Sequence, residues 1–136
     1  MVEYKNVLTT CPYCGVGCSV NLQVMNGQLV GVLPSQTDSV AEGGLCIKGW
    51  NAHAFVQHPD RLKTPLIREN CDFREASWDE ALGLVAEKLG EIKDEHGPDA
   101  IGVLASAKCT NEENYLLQKF TRAVIGTNNV DHCARL

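Results

Sequence analysis

The sequence predicts an α+β unit followed by the opening of an α/β domain, and three observations support this prediction. Apolar and polar residues alternate on both sides of an Asn-Gly pair at residues 26–27, as in a two-stranded hairpin. From residue 77 onward the apolar residues recur with the period of a helix. Helix and strand patterns then follow in the order α-β-α-β, which is typical of doubly wound sheets. We therefore predict a small β-rich domain over residues 1–60 and an incomplete α/β domain over residues 61–136.

The hairpin is the first element that the pattern predicts. Residues 20–25 alternate apolar and polar side chains, the period of a half-buried strand. Asn26-Gly27 suits a type I′ turn, because both central residues of that turn need positive φ. The return strand is predicted at residues 28–33, and turn-forming residues then fill positions 34–44.

The pattern of the second half begins with a linker, predicted over residues 51–74, in which residues 63–68 are extended. A helix begins after Ser77, which forms a predicted capping box with Glu80, and Gly97-Pro98 ends it. The apolar run 101–105 predicts a buried parallel strand. A second capping box and a second apolar stripe predict a further helix that Gly126 closes, and another strand begins near residue 129.

Four cysteines form the most informative motif of the chain. Cys11, Cys14, Cys18 and Cys46 have the spacing C-x2-C-x3-C followed by 27 residues and a fourth cysteine. Three thiolates from a glycine-bearing loop and one from elsewhere in the fold suit a [4Fe–4S] cluster. Zinc sites of four cysteines usually consist of two C-x2-C pairs, so zinc is the less favoured alternative, followed by thiols without a metal.

Composition and charge narrow the classes of function. The formal net charge of −5 and the lack of a basic run give no reason to expect nucleic-acid binding. No apolar run has the length of a transmembrane helix, so none is expected. Seven cysteines, an odd number, follow an N-terminal segment without an apolar leader. The sequence therefore predicts a reducing, cytoplasmic compartment.

The motifs together resemble the start of the molybdopterin oxidoreductases. The segments that carry the resemblance are Thr9–Cys18, the hairpin, Leu45–Gly49, Arg61–Arg68 and Ser77–Leu82. The segment from Asn114 to Arg135 is similar to the cytoplasmic formate dehydrogenase branch of that family. The cysteine loop alone would also fit nitrate reductases and the catalytic subunit of formylmethanofuran dehydrogenase.

The resemblance implies an activity and two cofactors. Formate would be oxidised to CO2, or CO2 reduced, at a Mo- or W-bis(molybdopterin guanine dinucleotide) centre, with electrons leaving through a [4Fe–4S] cluster on the four cysteines. An electron-transfer subunit or a ferredoxin-like acceptor would receive them. Lys48 matches a family lysine between pterin and cluster, so it is the expected electron relay. The candidate pterin neighbours are Lys108, Thr110 and Asn111.

The resemblance also raises an expectation about the end of the chain. In formate dehydrogenases, the segment Asp-x-Cys-Ala-Arg-x is followed by the cysteine or selenocysteine that ligates the metal, and Leu136 lies one position short of it. We expect a catalytic subunit cut at a selenocysteine codon and inactive by itself. The alternatives are a non-catalytic iron–sulfur electron-transfer module and another molybdopterin oxidoreductase, such as nitrate reductase or formylmethanofuran dehydrogenase.

Overall fold

The chain folds into two compact units. The computed structural model describes residues 1–133. The first unit consists of Met1–Arg61 and Ala105–Leu116, together with the end of the described chain from His132. The second consists of Leu62–Leu104 and Leu117–Asp131. The predicted division into residues 1–60 and 61–136 stays a prediction.

A three-stranded antiparallel sheet forms most of the first unit. Its strands are β1 (Tyr4–Thr10), β2 (Ser19–Met25) and β3 (Gln28–Pro34), in the order β1-β2-β3. Asn26 and Gly27 have φ values of +49° and +78°, so the predicted hairpin is confirmed. Strand β1 was not predicted, because all seven of its residues are exposed and show no apolar alternation.

The core of the first unit lies against β2 and β3. Val20 and Val32 are 1% and 3% exposed and form one cluster with Cys11 and Ala52. Ala52 belongs to a short helix α2 (Ala52–Val56), which follows another short helix, α1 (Ile47–Trp50). The prediction of a linker from residue 51 is therefore wrong at its start, because packing of Ala52 onto the sheet orders a segment with little helical pattern.

The second unit contains a short hairpin and the longest helix. Strands β4 (Leu66–Glu69) and β5 (Asp72–Glu75) pair antiparallel, again within the predicted linker. Helix α3 (Trp78–His96) begins and ends where the sequence predicts. The Ser77 hydroxyl accepts a hydrogen bond from the Glu80 amide at 3.1 Å, and Gly97 with φ +82° ends the helix.

The remaining elements of the described chain are two strands, a 3-10 turn at Pro98–Ala100, and one helix that ends in a π-helical turn. Strands β6 (Val103–Ser106) and β7 (Val130–Cys133) form a two-stranded sheet, and α4 (Asn111–Phe120) continues as a π-helical turn, Thr121–Ile125. The strand predicted at residues 101–105 is present as β6, but the prediction that it is buried is wrong for Leu104, which is 83% exposed. Among the described residues β6 has one sheet neighbour, and a strand without cover on a face leaves the side chains of that face exposed.

Candidate cluster-binding site

The three closely spaced cysteines lie in a loop that the sheet closes at its base. The last residue pair of β1 and β2 is Thr10 with Ser19, and next to it the Cys11 amide donates to the Cys18 carbonyl at 2.8 Å. The loop 11–18 is therefore held at both ends by backbone hydrogen bonds. Cys11 is 5% exposed, whereas Cys14 and Cys18 are half-buried.

Glycines allow the cysteine loop its tight path. Gly17 has φ +73°, a value that side chains disfavour, and its amide donates to the Cys14 carbonyl at 3.4 Å. The Gly15 carbonyl accepts a hydrogen bond of 2.9 Å from the Asn111 side chain. A Cβ atom at Gly15 would lie 2.9 Å from the Asn111 Oδ1 atom, so a side chain at this position would require the Asn111 amide to shift.

The loop thiols influence one another electrostatically. Burial raises the pKa of the Cys18 thiol above its ordinary value, and negative charge on Cys11 and Cys14 raises it further. Three thiolates close together repel one another, and iron ions would offset this repulsion by binding them. The arrangement thus fits a cationic metal centre in its chemistry.

The fourth cysteine lies in a different environment. Cys46 precedes α1 and is exposed. The amides of Gly49 and Lys48 donate to its sulfur and lower the pKa of the thiol, and the ammonium charge of Lys48 lowers it further. The lowered pKa favours the thiolate, which is the form that binds a metal.

The structure brings the predicted ligands together only in part. Within residues 1–133, no group of three or more His, Cys, Asp or Glu side chains is arranged to hold a metal ion. The electrostatic coupling joins Cys11, Cys14 and Cys18, whereas the Cys46 thiol interacts with α1 and Lys48. The assignment of all four cysteines as ligands is supported by donor chemistry and stays a prediction.

The other candidate residues surround the start of α4. Thr110 and Glu113 form a reciprocal capping box, in which the Thr110 amide donates to the Glu113 carboxylate at 2.7 Å and the Glu113 amide donates to the Thr110 hydroxyl at 3.2 Å. The Lys108 side chain is exposed, and its amide donates to the Ser106 hydroxyl at 3.0 Å. Asn111, alone of the three candidates, is hydrogen-bonded to the cysteine loop. The expected metal ligand after Leu136 and the segment 134–136 lie outside the described residues.

Asp38 was predicted only as a turn-forming residue, and its burial was not predicted. The residue is 8% exposed. Hydrogen bonds from the amides of Ser19 and Val40 hold the pKa of its carboxyl below the ordinary value. An aspartate that starts a turn often accepts amides two or three residues ahead, and this was the available indication.

Family comparisons identify both halves of the chain. Residues 4–58 match the model described as "Molybdopterin oxidoreductase Fe4S4 domain", and residues 61–136 match "Molybdopterin oxidoreductase". The chain belongs to the molybdopterin oxidoreductase family. The predicted family and the predicted cofactor classes, a [4Fe–4S] cluster and a molybdopterin cofactor, are confirmed by these matches.

Individual members of the molybdopterin oxidoreductase family are also similar to the chain. It is 55% identical over 135 residues to "F420-dependent formate dehydrogenase 1 subunit alpha" of Methanococcus maripaludis, covering 99% of this chain and 19% of that protein. It is 48% identical over 135 residues to "F420-dependent formate dehydrogenase subunit alpha" of Methanocaldococcus jannaschii, again covering 99% of this chain and 19% of that protein. The chain thus spans about a fifth of the length of these relatives.

A solved structure supports the fold. The "Acetylene Hydratase from Pelobacter acetylenicus" superposes with a TM-score of 0.71 at 25% identity, covering 92% of this chain and 18% of that chain. The predicted fold class, a small N-terminal β-rich cluster domain followed by the first elements of an α/β domain, is confirmed. Within residues 1–133, none of the helices combines the length and apolar composition that a bilayer crossing requires.

Proposed function

We propose that the chain supplies the cluster-binding part and the first α/β elements of a formate dehydrogenase catalytic subunit. The observation that carries the proposal is the identity of 55% along 99% of the chain to a formate dehydrogenase alpha subunit. When bound, a Mo- or W-bis(molybdopterin guanine dinucleotide) centre supplies two-electron chemistry, so that formate yields CO2, one proton and two electrons, or the reverse. The proposal concerns a subunit of the relatives' length, because the chain alone spans about a fifth of it.

In this proposal the four cysteines hold the [4Fe–4S] cluster. Support comes from the loop that brings Cys11, Cys14 and Cys18 into electrostatic contact, and from the lowered pKa of Cys46. Thiolates are the ligands that such clusters use. The cysteines thereby provide the exit for the electrons of the reaction.

Lys48 is the proposed relay between cluster and pterin. It is exposed and lies two residues after Cys46, and its ammonium charge acts on the Cys46 sulfur. A cation at this position could donate hydrogen bonds and would offset negative charge on both cofactors. The proposed pterin neighbours Lys108, Thr110 and Asn111 have less support, since Thr110 is already engaged in the cap of α4.

The proposal also includes an electron acceptor and a cellular compartment. The electrons pass to an electron-transfer subunit or a ferredoxin-like acceptor. The names of the archaeal relatives favour a route to F420. The cytoplasm is the proposed compartment, because thiolate ligands persist in a reducing environment.

The ligand assignment is tested by replacing one cysteine in the anaerobically prepared holoprotein. Cys46→Ser is expected to lower the iron content and to abolish formate-dependent dye reduction, because the cluster loses one of its four ligands. Cys71→Ser is the matched control, since Cys71 is exposed between β4 and β5. Parental iron and parental turnover in Cys46→Ser would contradict the assignment.

The alternatives give different results in the same preparation. A structural zinc module would be colourless and contain zinc. An electron-transfer module would contain a reducible cluster but would not reduce the dye with formate. Nitrate reductase or formylmethanofuran dehydrogenase activity would appear with their own substrates and not with formate.

The relay is tested by Lys48→Met. We expect the formate-dependent rate to fall by about 10–100-fold while the iron content stays parental, because the Lys48 ammonium acts on the Cys46 sulfur and would not itself be a ligand. Lys63→Met removes an equally exposed lysine and is expected to keep the parental rate. A parental rate in Lys48→Met would exclude the relay role.

A further inference from the structure

Asp38 is a buried carboxylate in the segment between β3 and Cys46. The residue is 8% exposed. One carboxylate oxygen, Oδ2, accepts hydrogen bonds from the amides of Ser19 at 2.7 Å and Ala41 at 3.3 Å, and Oδ1 accepts one from the Val40 amide at 3.0 Å. These three partners are neutral, so they stabilise the negative charge without cancelling it.

The amides that Asp38 binds come from two different segments. Ser19 directly follows Cys18 at the end of the cysteine loop, whereas Val40 and Ala41 belong to the turn that leads to Cys46. Two backbone hydrogen bonds also stabilise this arrangement of the segment after Cys18 and the turn before Cys46. The Ser35 amide donates to the Ser19 carbonyl at 3.0 Å, and the Glu42 amide donates to the Asp38 carbonyl at 3.0 Å. One side chain thus ties the end of the cysteine loop to the segment that carries the fourth cysteine.

The charge of Asp38 has a second consequence because of its position. Its closest hydrogen bond is to the residue next to Cys18, three backbone amides surround the carboxylate, and the residue as a whole is 8% exposed. A buried charge is screened far less than an exposed one. Reduction adds an electron to a cluster, and a nearby negative charge opposes that addition; local charge is one of the factors that set cluster potentials.

We propose that Asp38 is a positioning residue that joins the two ligand-bearing segments and whose charge keeps the reduction potential of the cluster low. This inference rests on the proposed function, since it requires a cluster on the four cysteines. It assigns no contact between Asp38 and the cluster. The role is electrostatic and structural.

The test is a redox titration of the anaerobic holoprotein, followed by electron paramagnetic resonance, together with its iron content. Asp38→Asn keeps the shape of the side chain, removes the charge and retains one of the two acceptor oxygens. At a fixed potential near the midpoint, we expect about a three- to tenfold higher ratio of reduced to oxidised cluster, which a buried unit charge can produce. Glu42→Gln is the matched control, because it removes the same charge from an exposed side chain nearby and is expected to shift the ratio less.

Asp38→Ala tests whether the hydrogen bonds of Asp38, as distinct from its charge, help to join the two ligand-bearing segments. It removes both the charge and all three acceptor bonds, so we expect it to retain less iron than Asp38→Asn. Asp38→Glu keeps the charge, and we expect its cluster to titrate near the parental potential. Were Asp38→Asn to lose its cluster, recovery of iron and of the parental potential in Asp38→Glu would support the proposal. A shift in Asp38→Glu as large as that in Asp38→Ala would overturn it.

The remaining outcomes separate this inference from the proposed function. Parental iron and parental potential in both Asp38→Asn and Asp38→Ala would overturn the role of Asp38 and leave formate turnover unaffected. A parental protein without iron would instead overturn the proposed function, and with it the requirement on which this inference rests.

Discussion

Gly49 provides the sharpest test of how closely the Cys46 segment packs. It is buried within α1, three residues after Cys46. A Cβ atom at this position would lie 2.5 Å from Leu45 Cδ1 and 2.7 Å from Leu45 Cγ. Leu45 itself packs against the core of the first unit. Gly49→Ala therefore forces Leu45 to move, and Leu45 is the direct neighbour of Cys46.

The magnitude follows from two opposing contributions. Overpacking of a filled site costs about 1–3 kcal/mol, whereas alanine is favoured over glycine in a helix by up to about 1 kcal/mol. Gly83→Ala in α3 is the matched control, because nothing lies within 4 Å of its added Cβ atom. It is expected to stabilise the fold by about 1 kcal/mol. The difference between the two variants isolates the clash, so Gly49→Ala should be less stable than Gly83→Ala by about 1–3 kcal/mol.

The assay is urea unfolding of both variants and of the parent, with iron content measured on the anaerobic holoproteins. Gly49→Ala is expected to retain less iron than Gly83→Ala, since the displaced Leu45 shifts the backbone that carries Cys46. A free energy of unfolding for Gly49→Ala at or above that of Gly83→Ala, with parental iron, would refute the reasoning.

Three further predictions concern stability. Val20→Ala should lower the free energy of unfolding by about 2 kcal/mol in urea titrations, because Val20 is 1% exposed and the lost methyl groups leave a cavity. Ser77→Ala should cost about 1 kcal/mol, since the N-cap bond to the Glu80 amide is lost; Ser77→Asp should restore stability. A hydrogen bond from Arg74 holds the pKa of Glu80 below its ordinary value. The folded state gains stability from this pair above the pKa of an unfolded glutamate and loses it as the pH falls through the lower folded value. As the pH falls from about 5 to about 3, the urea midpoint of Glu80→Gln should therefore decrease less than that of the parent.

Several elements could be predicted because their causes are local. The Asn26-Gly27 turn, the Ser77 cap and the reciprocal box of Thr110 with Glu113 each depend on residues at most three positions apart. Such interactions are visible in the order of residues alone. The boundaries of α3 followed for the same reason.

Other elements depend on partners that are distant in sequence. Strand β1 is exposed along its whole length and forms because it pairs with β2. It therefore has no apolar pattern from which it could be predicted. The extended piece predicted at residues 63–68 overlaps β4, but β5 and its pairing with β4 were not predicted, because all four residues of β5 are exposed and show no apolar alternation. Helix α2 depends on the packing of Ala52 against the sheet.

By itself, the sequence determined the four thiols as candidate ligands and indicated the fold class, because the spacing of the cysteines and the periods of the apolar residues are chemical facts of the chain. The family followed from the resemblance of its motifs to those of the molybdopterin oxidoreductases. Only the tertiary structure decided which residues surround those thiols. It brought Asn111 to the Gly15 carbonyl across 96 residues and buried Asp38 against the amide after Cys18. These contacts depend on the path of the folded chain, since burial and long-range hydrogen bonds have no pattern along the sequence.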